Sequence, residues 1–211
     1  MTNLPTLHVM DHPLIRHSIS LLRRKETTTF QFRQFVAVIS FLIGYEATRT
    51  FSLKMAEIET PLQKMQAPVL ATPVCLVPIL RAGLGMVNAL QLLLPNSSTG
   101  HIGLCRNEET LQPMEYLCKL PKNISEQMVL VLDPMLATGG SSIHAVNLLK
   151  KHGAKKIIML NIIGSPEGAE AFTKAHPDVE VFLGCMDERL NDHGYILPGL
   201  GDAGDRLFGT M

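Results

Sequence analysis

From Val69 onward, short unbroken apolar runs alternate with longer amphipathic stretches. The runs CLVPIL (75–80), MVLVL (128–132), IIMLNII (157–163) and VEVFLG (179–184) are bounded by Gly, Pro and Asp. Runs that short and that apolar predict strands covered on both faces, as in a parallel sheet. Between them, Ser141 to His152 places Ile143, Val146 and Leu149 on one helical face. It ends in Lys150-Lys151-His152, with Gly153 as a C-cap residue. Strand and helix in alternation predict an α/β fold with a central, mainly parallel sheet flanked by helices.

The first 50 residues read as helical. His12 to Lys25 carries Leu14, Ile15, Ile19, Leu21 and Leu22, and Thr29 to Thr48 carries Phe32, Phe35, Val36, Ile39, Phe41, Leu42 and Ile43, both at helical spacing. Gly100 to Pro121 follows neither period. A short strand there gives way to a charged NEE core and two prolines, which predicts a mobile excursion or a hairpin of the kind that often carries function. No repeat or Ser/Gly linker divides the chain. The expected organisation is one domain: an N-terminal helical arm (1–50), an α/β core (69–190) and a C-terminal segment (191–211).

Composition narrows the function classes. Apolar residues make up 46% of the 211, which indicates a globular chain. The 19 basic and 19 acidic side chains cancel, which argues against a nucleic-acid partner. The basic clusters Arg23-Arg24-Lys25, Lys150-Lys151 and Lys155-Lys156 are short enough to be solvated faces or helix ends. Cys75, Cys105, Cys118 and Cys185 form no C-x-x-C pair, and the eight histidines are dispersed, so no protein-built metal cage is expected. The most apolar window, Phe35 to Tyr45, is about half of what spans a bilayer, and no secretory signal is visible. A cytoplasmic protein with no membrane partner is the expectation.

Candidate chemistry centres on MVLVLDPMLATGGSS (128–142). An apolar strand ends in Asp133, and a loop rich in Gly and hydroxyls then leads into a helix. Consecutive glycines let several N–H groups converge, and a helix start adds partial positive charge, so the loop is a candidate phosphate cradle. An ordinary βα turn with a Ser/Thr cap is the alternative. A Walker P-loop is excluded, because no Lys follows the second Gly. An acid several residues ahead of T-G-G-S suits a phosphorylated sugar, the acid taking ribose hydroxyls and the loop amides the 5-phosphate. Gly199 to Gly204 spells G-x-G-x-x-G, yet only seven residues follow, too few for a dinucleotide-binding βαβ unit.

The loop resembles the phosphoribosyl pyrophosphate (PRPP) loop of the type I phosphoribosyltransferases. VPILRAGLGM (77–86), CRNEETLQP (105–113), HPDVE (176–180) and HGYILPGLGDAGDRLFGT (193–210) narrow the resemblance to the uracil phosphoribosyltransferase family, and HPL (12–14) and YEAT (45–48) extend it into the N-terminal helices. Many relatives in the wider superfamily have two adjacent acids where this chain has Asp133-Pro134, leaving one carboxylate to meet the ribose or its magnesium.

The resemblance implies the type I phosphoribosyltransferase fold and formation of UMP and pyrophosphate from uracil and PRPP. It implies a PRPP site at Arg81, Arg106, Asp133, Pro134, Met135, Leu136, Ala137, Thr138, Gly139, Gly140, Ser141 and Asp202. Arg81, Arg106, Asp133 and Asp202 are the catalytic candidates, with both arginines on the pyrophosphate. Uracil falls to Ile196, Gly201, Asp202 and Ala203, read largely by backbone groups. Mg2+ is expected to travel with PRPP and not in a protein-built site. GTP is a possible effector, and a homo-oligomer, dimer or higher, is expected. Two rivals remain open: an RNA-binding attenuator with a similar loop, and a phosphoribosyltransferase for a purine base.

Overall fold

A computed structural model of the chain describes residues 4–210 apart from 107–112, together with the backbone but not the side chains of Arg106 and Pro113. In chain order the elements are β1 (Leu7–Val9), α1 (Pro13–Leu22), α2 (Thr29–Ala47), β2 (Leu53–Glu59), β3 (Lys64–Leu70), β4 (Val74–Leu80), α3 (Leu84–Leu93), β5 (Ser98–Thr99), β6 (His101–Arg106) and β7 (Pro113–Lys119). They continue with β8 (Met128–Leu132), β9 (Met135–Leu136), α4 (Gly140–Lys151), β10 (Lys156–Gly164), α5 (Pro166–Ala175), β11 (Glu180–Met186), β12 (Arg189–Leu190), β13 (Ile196–Leu197) and α6 (Ala203–Phe208).

The main sheet runs β1-β11-β10-β8-β4-β6-β7, and every pairing along it is parallel except β6 with β7. The apolar runs thus form the buried parallel strands that their composition predicts. Because side chains alternate across a strand, each run feeds two layers. Leu76, Leu130, Leu132, Ile158 and Leu160 face a core shared with α1, α2, α3 and α6. Cys75, Val77, Val129, Val131 and Met159 face a second core with α4 and α5. The N-terminal helices are part of the first layer: Phe32, Val36, Ile39 and Ile43 on α2 are fully buried. A capping box starts α2, with Gln31 N–H on the Thr28 hydroxyl and the Gln31 amide returning to Thr28 N–H.

Three local findings differ from, or add to, the sequence reading. Residues Leu7–Val9, expected to be helical with the rest of the first 50, form a strand that pairs in parallel with Val181–Leu183 and covers the sheet edge. Three residues are too few for a helical period to show, and the open edge of β11 decides their conformation. Residues 53–70 form an antiparallel hairpin whose strands hold no buried residue, only Ala56, Ala67 and Val69 being half-buried, so no continuous apolar run marked it. Gly100 to Pro121 is a hairpin too, β6 against β7, with the connecting residues 107–112 outside the described part. Among the described residues no helix is long and apolar enough to cross a membrane.

The chain leaves β4 for β6 on one side, then returns past β4 to β8 and proceeds outward through β10 and β11. The switch in direction falls between β4 and β8. In such sheets the crevice beyond the strand C-termini at the switch is where ligands are held. Gly83, in the turn after β4, packs so tightly here that a Cβ would lie 2.3 Å from Leu132 O and 2.8 Å from the Ile79 backbone. Gly83→Ala must therefore push two strands apart. We expect a stability loss of about 2–4 kcal/mol, seen as a fall in Tm of very roughly 5–15 °C. An unchanged Tm would show that the β4–β8 switch tolerates separation.

Candidate active site

Asp133 follows β8 at the switch. Its backbone is anchored on β10: Asp133 N–H donates to Leu160 O at 3.2 Å, and Asn161 Nδ2 donates to Asp133 O at 2.7 Å. The next carbonyls are occupied from the same side. Pro134 O accepts from Ile162 and Ile163 N–H, Leu136 O from Ser165 N–H, and Ala137 O from the Ser165 hydroxyl at 2.6 Å. With its carbonyls turned to β10 and α5, the loop presents its other side to solvent. Gly139 turns the chain into α4 with φ +80°, a value that disfavours side chains, and a Cβ there would stand 3.0 Å from Gly168 O. Gly168 is as constrained, since its Cβ would meet Ala137 O at 2.0 Å. The first turn of α4 leaves the N–H groups of Ser141 and Ser142 without intrahelical partners, and Gly140 N–H reaches the Thr138 hydroxyl at 3.5 Å.

The Asp133 carboxylate sits half-buried at the base of this loop. Met135 N–H donates to its Oδ1 at 3.3 Å. Burial raises its pKa from the ordinary 3.8 to about 7, against the opposing pull of the Met135 N–H. With one weak donor among the described residues, this carboxyl group is suited to receiving hydroxyl donors or a cation.

The C-terminal segment closes the crevice. β13 pairs with β12, and Tyr195, Ile196, Leu200, Gly201 and Asp202 face Met135 and Ala137 across a cleft of about 550 Å³. His193 and Gly194 line the same cleft, and a Cβ on Gly194 would stand 3.5 Å from the Thr138 methyl. The structure therefore brings Met135 and Ala137, ahead of the glycines, and the C-terminal segment around one space, while Asp133 and Thr138 to Ser141 are not among the residues that line it.

The remaining candidates are placed as follows. Arg81 follows β4 through a cis peptide with Leu80. Its guanidinium reaches α6, with Nη2 at 3.0 Å from Asp205 Oδ1, Nη1 at 3.4 Å from the Thr210 hydroxyl, and the Phe208 ring at 5.8 Å. Asp202 is the N-cap of α6, its Oδ1 accepting from Asp205 N–H at 2.9 Å. Ala203 does not line the cleft. It is fully buried, with its methyl in the core beside Leu207, because N1 of α6 points inward. Arg106 ends β6 at the edge of the described residues, so the placement of its side chain, like that of 107–112, lies outside the described part. Among the described residues no group of three or more His, Cys, Asp or Glu could hold a metal ion.

Asp187 stands at the end of an apolar strand as Asp133 does, with no neighbouring motif to mark it. Tyr195, about half exposed, also lines the cleft.

The model of the uracil phosphoribosyltransferase family matches residues 9–210. The chain belongs to the uracil phosphoribosyltransferase family. A uracil phosphoribosyltransferase of Clostridium perfringens is 58% identical over 200 residues, covering 94% of this chain and 96% of the relative. One of Streptococcus pneumoniae is 55% identical over 205 residues, covering 97% and 98%. A solved structure of an Aquifex aeolicus protein superposes with a TM-score of 0.91 at 38% identity, covering 96% of this chain and 97% of that one. A hypoxanthine-guanine phosphoribosyltransferase of Bacillus anthracis, at 12% identity and a TM-score of 0.52, shares the fold alone. The mainly parallel, helix-flanked sheet is thus the type I phosphoribosyltransferase architecture.

The raised pKa of Asp133 has a measurable consequence. Unfolded, this carboxyl releases its proton near pH 3.8; folded, it keeps the proton until about pH 7. Its contribution to stability is therefore highest below pH 4, falls between pH 4 and 7, and is flat above. Asp133→Asn removes the dependence. At pH 8 the ligand-free variant should be more stable than the parent by about 1–3 kcal/mol, allowing for partial exposure, and the difference should vanish near pH 4. Urea unfolding at the two pH values checks this. Equal differences at both would place the carboxyl in water.

Proposed function

We propose that this chain transfers the phosphoribosyl group of PRPP to uracil, giving UMP and pyrophosphate. N1 of uracil forms the bond to the anomeric carbon, the bond to pyrophosphate breaks, and the N1 proton is lost. The observation that carries this reading is the cleft where Met135 and Ala137, of the loop suited to phosphate and ribose, meet the 193–202 segment, suited to a planar base. Family membership over nearly the full chain points the same way.

In this assignment the amides of Thr138 to Ser141 and the start of α4 hold the 5-phosphate, and Asp133 accepts from the ribose hydroxyls. Positive charge builds on the sugar as pyrophosphate leaves, so acceleration comes from alignment and from stabilising the leaving anion. Arg81 and Arg106 take that second role, a guanidinium fork matching a multidentate anion. Arg81 exchanges Asp205 and Thr210 for pyrophosphate oxygens; its side chain is 54% exposed and has donors to spare. Mg2+ fits as an ion carried by PRPP. The Asp133 carboxylate is a hard oxygen donor with one partner among the described residues, and the metal would supply charge neutralisation on the pyrophosphate. Ile196, Gly201 and Asp202 with Tyr195 border the base, its carbonyls and N–H read by backbone groups of 196–203.

The four free cysteines fit a reducing, cytoplasmic setting. A homo-oligomer is supported by exposed apolar side chains on the β2–β3 hairpin, Leu53, Met55, Ile58, Leu62 and Met65, and on α2, Phe30, Val38, Phe41 and Tyr45. Sedimentation with and without GTP tests both assembly and the effector that the resemblance implies.

A UMP-formation assay with uracil, hypoxanthine and adenine in parallel tests the function. Product with uracil alone is expected. Product with a purine, or tight salt-sensitive RNA binding in a gel shift with no product at all, would replace the reading. Arg81→Lys and Arg106→Lys keep charge but lose the fork, so each should lower kcat/KM by about 10–100-fold and raise the inhibition constant for pyrophosphate. Wild-type pyrophosphate affinity in Arg106→Lys would remove that residue from the site. Asp133→Asn should weaken PRPP binding by about 10–100-fold, the loss of a charge-assisted hydrogen bond.

A further inference from the structure

The loop assigned to the base is secured by ionic contacts from behind and not by the sheet. Arg23, at the C-terminus of α1, places its guanidinium against Asp187, which follows β11. Nη1 lies 2.7 Å from Oδ2, and Nη2 also pairs with Oδ1. The same Nη1 donates to Gly199 O at 2.6 Å, while Gly199 N–H donates to Asp187 Oδ2 at 2.9 Å. Both backbone polar groups of one glycine are therefore held by one ion pair. The pair is withdrawn from solvent, with side-chain exposures of 19% for Arg23 and 2% for Asp187.

Gly199 itself is under tight geometric constraint. Its φ is +67°, and a Cβ would lie 2.2 Å from Ile196 O. Ile196 and Leu200, on either side, line the cleft. A second guanidinium supports the neighbouring peptide: Arg206 donates to Leu200 O at 2.8 Å and to Arg24 O at 2.7 Å, so the α1–α2 turn is tied to the loop twice. Neither Arg23 nor Asp187 borders the cleft.

We propose that Arg23 and Asp187 are positioning residues for base recognition. They lock the Gly199 peptide groups, so that Ile196, Leu200 and Gly201 hold a fixed wall against the base, and they set affinity and selectivity without touching it. The proposal rests on the uracil reading of the cleft and adds to it a part of the molecule, the end of α1, that none of the residues quoted for the family resemblance includes. A rigid hydrogen-bonding wall is what permits a site to reject an analogue whose donors and acceptors are reversed.

Steady-state kinetics in both substrates test it, on Arg23→Met, Arg23→Lys and Asp187→Asn. Leu149→Ala, in the opposite core, serves as the control for lost stability. In Arg23→Met and Asp187→Asn the KM for uracil should rise about tenfold or more, with the KM for PRPP changed less than about twofold and the preference for uracil over cytosine reduced. Arg23→Lys keeps the charge but cannot span both Asp187 and Gly199, so it should show the same split at about threefold. The control should lower Tm and leave the uracil KM unchanged. If Arg23→Met does not fold, Arg23→Lys and Asp187→Asn decide. A uracil KM that stays at the parent value, or one that rises in step with the KM for PRPP, would overturn the clamp while leaving the uracil reading intact. A parent enzyme that makes no UMP would overturn both.

Discussion

Parallel pairing of β4 with β8 is the constraint on which the rest of the structure depends. Two parallel neighbours cannot be joined by a tight turn, so the chain must leave one strand over the sheet and return to the other. Here it leaves in opposite directions, and the C-termini of both strands open on a crevice that no crossover fills. Arg81 follows one of these strands and Asp133 the other. Backbone contact at Gly83 fixes their separation, because nothing larger than hydrogen fits between the turn after β4 and Leu132 O.

The two walls of the cleft are secured by different physics. The 133–142 wall hangs on backbone hydrogen bonds to β10 and to the start of α5, so its rigidity comes from the sheet. The 193–202 wall extends beyond the sheet and has only the two-residue pairing of β12 with β13. Its order comes from buried guanidinium groups. Arg206 is 7% exposed and faces carbonyl oxygens and the Phe32 ring, 4.5 Å away, with no carboxylate partner among the described residues, and burial lowers its pKa from the ordinary value. Such a charge is costly to desolvate, and breaking a buried pair such as Arg23–Asp187 typically costs about 3–5 kcal/mol. The cost is consistent with selection for a defined loop and not for stability alone.

Asp133 illustrates the same compromise. A half-buried carboxyl with one donor destabilises the ligand-free fold at neutral pH, yet it is the group that a sugar hydroxyl or a cation can satisfy. The apolar sheet that raises its pKa also makes any later hydrogen bond stronger, through the low local dielectric.

Much of this was legible in the sequence because it depends on local period and local chemistry. Four apolar runs bounded by breakers could only be buried strands, and the T-G-G-S loop could only follow one of them into a helix. The motif spacing carried the family. Other features had no local signature. Leu7–Val9 is a strand because β11 offers an open edge, and the 53–70 hairpin carries no buried apolar run because both its faces lie largely outside the core. Ala203 falls within the base-site motif yet points into the core, a matter of helix phase that sequence cannot set. Arg23 looked like part of a solvated basic cluster, while Asp187 carried a strand-end signal with no partner to give it meaning. Bringing them within 2.7 Å takes a separation of 164 residues closed by the packing of α1 on the sheet. The chain thus determines which segments are strands, helices and phosphate-binding loop, since those follow from periods of two to four residues. The tertiary structure alone decides which charged side chains meet, because burial and pairing are properties of the assembled layers.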